Sequence, residues 1–359
     1  STRKESSAAS DVYKRQSKSR SVSSKKKRRR RKKRQRRIMM FITLMLLFVI
    51  GFGTFYGYSM LSGIKHDKIS SNKSELGVSK ENINMLKKYD TYNKVTNIVL
   101  FGLDQRSEDE PSRSDTVMIV SIDKAHKKVK LTSVMRDSYV SIDGHGNDKL
   151  THAYAYGGPE LSIKTLNENF KLNITDYAAV NFFDMEKIID SLGGVNLDIK
   201  QYEVKEINKY IKEIADITGT PYTPLSGTGS QTLSGRQALS YTRIRSVGNG
   251  DFERTSRQRI VLQALLSKIK EGGILGLPKN ISKLAPMVRT SLGTGEMMGM
   301  GLSLFLSGTT EIETARIPVD GTFPDGGKMI KGTWYLPFDK EKNIDYLHKY
   351  IYEDIHPNK

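Results

Sequence analysis

Twenty-four residues without a charge, Ile38 to Leu61, lie directly behind Lys25-Lys-Lys-Arg-Arg-Arg-Arg-Lys-Lys-Arg-Gln-Arg-Arg37. An apolar run of that length crosses a hydrocarbon core of about 30 Å. It is longer than the apolar region of a typical secretory leader, and no small-x-small cleavage site follows it. The positive-inside rule then sets the orientation. Residues 1–37 are expected to be a basic cytoplasmic tail and 38–61 one transmembrane helix. Everything after Gly63 is expected to lie outside the cell, on a single-pass protein of the cell membrane.

The net charge has to be divided along the chain. Residues 1–37 hold 18 Lys and Arg against two acidic residues, so they carry +16 of the formal +19. The rest is close to neutral, and any basic cluster in it is local. The tail has the composition of a nucleic-acid arm, but topology and anionic lipid headgroups account for it. It has no helix-turn-helix or other reading element, so membrane lipids are expected as partners and no specific nucleic acid is. There is no Cys, which excludes thiolate catalysis, Cys-based metal sites and disulfides. The outer part must therefore rest on its hydrophobic core, and it is long enough to have one.

Residues 62–94 are polar, rich in Lys, Ser and Asn, and are expected to form an extracellular stem before a catalytic domain over 95–355. Val95–Leu103 and Thr116–Ile122 read as strands, and Lys128–Val134 alternates as a half-exposed strand does. Lys149–Phe170 has helical spacing, punctuated at Gly157-Gly158-Pro159. A buried strand follows at Asp176–Phe182, a helix over Met185–Leu192 ended by Gly193-Gly194, and a short strand at Val195–Ile199. Residues 203–216 form a charged amphipathic helix, and a loop from Thr218 to Ser230 separates it from an arginine-rich region. Helices dominate 251–307. A late strand covers Ile312–Val319 and a last helix Asn343–Tyr352. Strands alternating with helices predict an α/β fold: a three-layer α-β-α domain around a central mixed β-sheet.

The chemistry concentrates at strand ends and in the arginine-rich region. Asp104 closes the first strand, Arg113-Ser-Asp115 opens the second, and Arg136-Asp137 closes the third. Open α/β sheets bind ligands in such crevices, although Asp at these places also serves as a turn or cap residue. Further on stand Arg243-Ile-Arg245, then Asp251, Arg254 and Gln258. Arg243 and Arg245 are two apart and share a side in an extended segment. Arg254 and Gln258 are four apart and share a helix face. A solvated basic helix would look similar, but here two groups of different periodicity flank an acidic segment. The planar guanidinium fork grips phosphate oxygens in pairs. Carboxylates beside several Arg suit Mg²⁺ bridging to phosphate, the equipment of phosphoryl transfer. No P-loop pattern is present. The His residues lack metal-ligand spacing, and His152, Tyr154 and Tyr156 read as packing or hydrogen-bonding residues.

Five segments in order carry a resemblance to a known family: Phe101-Gly-Leu-Asp104, Arg113-Ser-Asp-Thr116, Met135-Arg-Asp-Ser-Tyr-Val140, Lys149-Leu-Thr-His-Ala-Tyr154, and Tyr241-Thr-Arg-Ile-Arg245 with Asp251-Phe-Glu-Arg-Thr-Ser-Arg-Gln-Arg259. With a single N-terminal anchor before them, the chain resembles the LytR-CpsA-Psr family of cell-wall glycopolymer ligases. The likeness runs from about Asn97 to Leu265 and continues more faintly to the strand Ala315–Val319. Many members have Pro where this chain has Met135, which touches a backbone turn and not the charge. The resemblance implies that Asp104 and Asp115 hold Mg²⁺. It implies that Arg113, Arg136, Arg243, Arg245 and Arg254 surround the pyrophosphate of a polyprenyl-linked glycopolymer, with Gln258 completing the polar lining. Asp251 would orient an Arg or help deprotonate the acceptor, a sugar hydroxyl of peptidoglycan. The lipid tail would lie in an apolar tunnel between sheet and helices.

Two other readings stay open at this level. A polyprenyl-pyrophosphate phosphatase needs the same metal and arginines, with water as acceptor. A membrane-bound regulator or attenuator of envelope gene expression would use the outer domain as a sensor. The topology has its own test: protease added to intact protoplasts should remove the part after Gly63 and spare the tail. Digestion of the tail from outside would refute the orientation.

Overall fold

The computed structural model describes residues 63–104, 112–271, 284–306, 308 and 311–357. The basic tail and the apolar span Ile38–Leu61 lie outside these, and among the described residues no helix is long and apolar enough to cross a membrane. In chain order the elements begin with β1 (Lys65–His66), α1 (Lys80–Leu86), β2 (Val95–Asp104), β3 (Arg113–Asp123), β4 (Lys128–Val134) and the hairpin β5 (Tyr139–Ile142) and β6 (Gly146–Lys149). Next come α2 (Leu150–Phe170), β7 (Tyr177–Asn181), α3 (Phe182–Ser191), β8 (Val195–Ile199), α4 (Gln201–Thr218), β9 (Gly229–Leu233), α5 (Gly235–Arg243) and α6 (Gly250–Glu271). The chain closes with β10 (Arg289–Thr290), α7 (Thr294–Leu306), β11 (Glu311–Ile317), the hairpin β12 (Lys328–Ile330) and β13 (Thr333–Tyr335), and α8 (Lys340–His348).

Seven strands form one mixed sheet in the order β1-β10-β7-β2-β3-β4-β11. The pairs β2–β3 and β3–β4 are antiparallel, whereas β7 runs parallel to β2 and β11 parallel to β4. The period-2 pattern of β2 sends Val99, Phe101 and Leu103 to one face, where they meet Ile163, Leu166 and Phe170 of α2 and Leu347 of α8. The opposite face is covered by α3, α5 and α6, with a second core of Ile188, Ile189, Ala238, Tyr241, Val261 and Leu265. This is the three-layer mixed α/β arrangement expected from the strand–helix alternation. At the punctuation in α2, Gly158 takes a left-handed φ of 61° just before Pro159.

Two expectations change. Residues 62–94 are not a free stem: Leu76, Val78 and Leu86 are buried, and Asn82 Nδ2 donates to the carbonyls of Asn167 and Leu172, both at 3.0 Å. Three apolar residues and one buried amide in a polar stretch are enough to dock it. Strand β4 is not half exposed either. Lys130, Thr132 and Ser133 are buried because β11 extends the sheet beyond it and the C-terminal turn covers it. Lys130 Nζ lies 2.7 Å from Asp123 and 3.0 Å from Asp354, and donates to the Tyr350 carbonyl at 2.8 Å. A lysine at this depth is tolerated only with its charge matched.

Removing that ammonium should therefore cost far more than a surface change. Lys130→Ala should destabilise the domain by about 3–5 kcal/mol in chemical denaturation, because Asp123 keeps a buried, unbalanced charge. Burial pushes the Asp123 carboxyl up, but its bonds to Lys130 and His126 outweigh that and hold it below the usual range. A depressed carboxylate contributes stability above its unfolded value and loses it as pH falls through the folded one. The penalty should thus shrink in acid, below about pH 4. A loss under about 0.5 kcal/mol at neutral pH would be that of an ordinary surface lysine and would contradict the account.

Candidate active site

Strands β2 and β3 lose their regular register at one place. Gly102 faces Thr116 and Leu103 faces Ser114, which leaves Asp115 as the extra residue of a β-bulge. Bulges of this kind re-aim a side chain. A Cβ on Gly102 would stand 2.8 Å from Thr116 Cβ, so only glycine lets the two strands approach here. The bulge turns Asp115 towards three arginines from three different segments. Arg136, in the turn after β4, places Nη1 2.5 Å from Asp115 Oδ1. Arg254, in the first turns of α6, places Nη2 2.8 Å from Oδ2. Arg245, in the linker between α5 and α6, stands 3.6 Å from the same oxygen.

Asp251, in the first turn of α6, balances the group from the other side. Its Oδ1 is 3.2 Å from Arg254 and 3.5 Å from Arg245. Its Oδ2 is buried, accepts no hydrogen bond and lies 3.9 Å from Arg136 Nε. Burial would raise the Asp115 carboxyl, but Arg254, Arg136 and Arg245 together hold it below the usual carboxylate range. Arg245 is pulled the other way: burial, Arg254 and Arg136 lower its pKa more than Asp251 and Asp115 raise it. The cluster is therefore a crowded, partly desolvated set of guanidinium groups held together by too few carboxylates, an arrangement suited to a polyanion.

The charge stops abruptly beside it. An apolar cavity opens between the sheet and the helices, lined by Leu100 and Gly102 of β2, Thr116 and Met118 of β3, Phe182 and Met185 of α3, Leu239 of α5, and Gln258, Val261 and Leu262 of α6. Along one face of α6 the side chains run Asp251, Arg254, Gln258, Val261, so that face passes from charged to apolar within three turns. Strand β3 makes the same change from Asp115 to Met118. The site thus has a cationic head and an apolar trough.

Of the nine residues singled out in the sequence, the structure gathers Asp115, Arg136, Arg245, Asp251 and Arg254, with Gln258 in the trough wall. Arg243 does not point with Arg245. It ends helix α5, and its Nη2 is 2.9 Å from Glu213 while its guanidinium lies over the Tyr210 ring at 5.1 Å. The helix begins at a capping box, Ser234 with Gln237, the signal that argues against an extended segment here. Arg243 shares a shallow groove with Asp104, Phe182, Ile217 and Leu239, and Phe182 and Leu239 also wall the trough, so the two spaces adjoin. Arg113 is exposed, opposite Asp104 in the ladder, with no salt bridge among the described residues. His152 Nδ1 lies 2.8 Å from Asp148, to which Tyr156 also donates, a hydrogen-bonding role. Sequence reasoning named Asp137 and Lys149 within motifs but gave neither a role in the site. Buried Asp137 takes Arg136 Nε at 3.3 Å and Lys149 Nζ at 2.7 Å, and so fixes the Arg136 side chain.

Asp104 and Asp115 stand on neighbouring strands and offer the hard oxygen ligands that Mg²⁺ takes, one or two per ion, with phosphate oxygens completing the shell. Both Asp115 oxygens are held by Arg136 and Arg254, so an ion there would need one of these contacts to be given up. The group of three possible metal ligands found among the described residues, Asp123, His126 and Asp354, lies elsewhere and is already neutralised by Lys128 and Lys130.

Residues 52–350 match the model of the LytR_cpsA_psr family. The regulatory protein MsrR of Staphylococcus aureus is 32% identical over 260 residues, which cover 72% of this chain and 74% of that protein. The polyisoprenyl-teichoic acid–peptidoglycan teichoic acid transferase TagU of Oceanobacillus iheyensis is 32% identical over 318 residues, covering 84% and 88%. Among solved structures, TagT of Bacillus subtilis with bound octaprenyl pyrophosphate lipid superposes with a TM-score of 0.53 at 27% identity, covering 74% of this chain and 92% of that one.

The charge balance of the cluster can be measured without turnover. Asp115→Ala should cost about 3 kcal/mol of stability, since Arg254 is left buried without its main partner. Asp104→Ala, at an exposed strand end, should stay within about 0.5 kcal/mol. Pyrophosphate at millimolar concentration should raise the melting midpoint of the Asp115 variant more than that of the parent, because no carboxylate has to be displaced. If the Asp115 variant melts like the parent, and pyrophosphate shifts both alike, Asp115 does not hold these arginines.

Proposed function

The chain belongs to the LytR_cpsA_psr family, and on that premise we propose that it is a membrane-anchored phosphotransferase. It moves an anionic glycopolymer, of the wall teichoic acid or capsule type, from a polyprenyl-pyrophosphate carrier to a sugar hydroxyl of peptidoglycan. The observation that carries this reading is the passage from Asp115, Arg136, Arg245 and Arg254 into the apolar trough. A ligand that fills both parts needs a compact polyanionic head and a long apolar tail, which describes a polyprenyl pyrophosphate. The transferase name of TagU and the lipid bound in TagT support the same reading. The apolar span Ile38–Leu61 behind a basic block supports an anchor with the domain on the outer face.

In this reading Arg136, Arg245 and Arg254 exchange their carboxylate contacts for pyrophosphate oxygens, two oxygens per fork where geometry allows. Arg243 and Asp104 line the adjoining groove, and Arg113 pairs with Asp104 in the ladder. The acceptor hydroxyl oxygen attacks the phosphorus that bears the glycan. A new P–O bond to peptidoglycan forms, the bridging P–O bond of the pyrophosphate breaks, and polyprenyl phosphate leaves with the bridging oxygen. The hydroxyl proton goes to Asp251, whose Oδ2 has no hydrogen bond to give up. Charge collects on the leaving phosphate, where the arginines hold it in a site that excludes most water. Mg²⁺, held by Asp104 and Asp115, would neutralise phosphate oxygens. With water in place of the acceptor the same groups make a phosphatase.

The deciding assay supplies the purified protein with a polyprenyl-pyrophosphoryl glycan, with and without peptidoglycan oligomers. A glycan–phosphate–peptidoglycan adduct is expected. Arg245→Lys keeps the charge but loses the fork, and should cost about 2–4 kcal/mol of barrier, seen mainly in kcat. Free glycan phosphate as sole product at every acceptor concentration would mean a phosphatase. No product from either route, with wall polymer unchanged in cells carrying Arg245→Ala, would remove the catalytic reading.

A further inference from the structure

Helix α6 carries a second polar stripe that transfer at Asp115 does not use. Phe252, Ser256 and Arg259 follow the spacing i, i+4, i+7 and share one face, turned by roughly a third of a circle from Asp251, Arg254 and Gln258. That face looks across an open cavity of about 270 Å³ at the edge strand β11, which contributes Thr314 and Arg316. Arg316 is 7% exposed. Its guanidinium lies over the Phe252 ring at 4.5 Å and the Phe323 ring at 5.6 Å, and the two rings stack on each other. Its Nη2 is engaged by Asp320, but its Nη1 is buried with no partner. Arg259 has two such atoms, Nε and Nη1, and the nearby Tyr350 hydroxyl is a fourth unmatched group.

The same helix shows how a purely structural arginine is treated. Arg257 is buried more deeply than Arg259, and its three nitrogens all bond, to Glu203, Glu253 and the Ile244 carbonyl. Buried donors are matched as a rule, and exceptions call for a ligand. Two carboxylates also line this cavity, but Glu253 is bonded by Arg257 and Asp320 by Arg316. Arg259 therefore has no acidic partner there among the described residues, and burial and the neighbouring Arg316 push it down to about 10. An anion with several acceptor oxygens would satisfy both guanidinium groups and remove their repulsion. Ser256 and Thr314 add hydroxyls to the wall, and Phe252 offers an apolar surface for the carbons next to such a group. Phe252 and Glu253 follow Asp251 directly, so the cavity lies one helix face away from the transfer centre.

We propose that this cavity is a second anion subsite, which seats a phosphodiester group of the saccharide polymer beyond the pyrophosphate. The inference rests on the polymer-transfer reading above and names which part of the donor the protein holds besides its head. It makes the phosphate content of the polymer a determinant of affinity, separate from the pyrophosphate contacts.

The test uses the full chain in detergent and two synthetic donors, polyprenyl-pyrophosphoryl disaccharides with and without attached glycerol phosphate units. Arg259→Gln and Arg316→Gln should raise KM about tenfold for the phosphate-bearing donor, leave its kcat unchanged, and leave the short donor unaffected. Binding of sn-glycerol 3-phosphate, read by calorimetry with pyrophosphate saturating the head site, should weaken about tenfold in the same variants. If the Gln variants fail to fold, Arg259→Lys and Arg316→Lys keep the charge and should still weaken binding several-fold. If both donors keep their KM in all variants, the subsite is refuted. If inorganic phosphate binds there as tightly as glycerol phosphate while donor KM is indifferent, the cavity serves free phosphate and the proposal falls. If the parent turns over neither donor, polymer transfer fails; Arg259- and Arg316-dependent glycerol phosphate binding would still uphold the anion subsite.

Discussion

The site depends on one carboxylate held among three guanidinium groups. Asp115 gathers Arg136, Arg245 and Arg254 from the turn after β4, the α5–α6 linker and helix α6. The first of these segments is far in sequence from the other two, which follow one another. Like charges at this spacing repel, and with burial their mutual cost rises. The bulge in β3 supplies the compensating charge where a regular strand would have turned Asp115 the other way. The close approach of Gly102 to Thr116 makes the bulge possible. Asp137 and Lys149 then fix Arg136 from behind, and the buried Glu203–Arg257 pair, joined by the more exposed Glu253, fixes the start of α6. The cationic head is thus over-determined by pairs that have no direct part in chemistry.

The two faces of the sheet divide the work. The face under α2 and α8 is packed with Phe101, Ile163, Leu166 and Phe170 and gives the sheet its stability. The face under α3, α5 and α6 keeps an apolar gap open beside the charges. A fully packed second face would be more stable and would leave nowhere for an apolar ligand. The trade is visible along α6, which contributes Val261 and Leu265 to the core and Gln258 and Leu262 to the trough wall.

Much of this is written locally in the sequence. The strand alternation, the Gly157-Gly158-Pro159 break, the capping of helices and the order of charged motifs all follow from short-range rules, and they give the layered fold and most of the arginine cluster. What is not legible arises from pairing at long range. The half-exposed reading of β4 fails because β11, far along the chain, covers its edge and leaves Lys130 inside. The polar reading of 62–94 fails because Leu76 and Leu86 find partners contributed by α2 and the strands beyond it. Arg243 and Arg245 are separated by the end of a helix whose start, Ser234 with Gln237, was a local signal outweighed by the two-residue spacing. The bulge that aims Asp115 has no sequence mark at all, since it is a property of the β2–β3 register.

In the resting protein, Arg136, Arg245 and Arg254 are balanced chiefly by Asp115 and Asp251, while Asp137 is shared with Lys149. The two carboxylates at the head of the site, Asp115 and Asp251, are therefore occupied as counter-ions until a polyanion arrives. A pyrophosphate that takes over the guanidinium groups releases both: Asp251 becomes available to a proton, and Asp115 to a cation. Before that exchange Asp115 is held below the usual carboxylate range by the arginines and is a poor base. In the proposed reaction, activation of the acceptor would then be tied to occupation of the head site by simple electrostatics. A site built this way holds its reactive groups in mutual neutralisation until the correct charge displaces them, which favours ligands with a dense anionic head over neutral glycans.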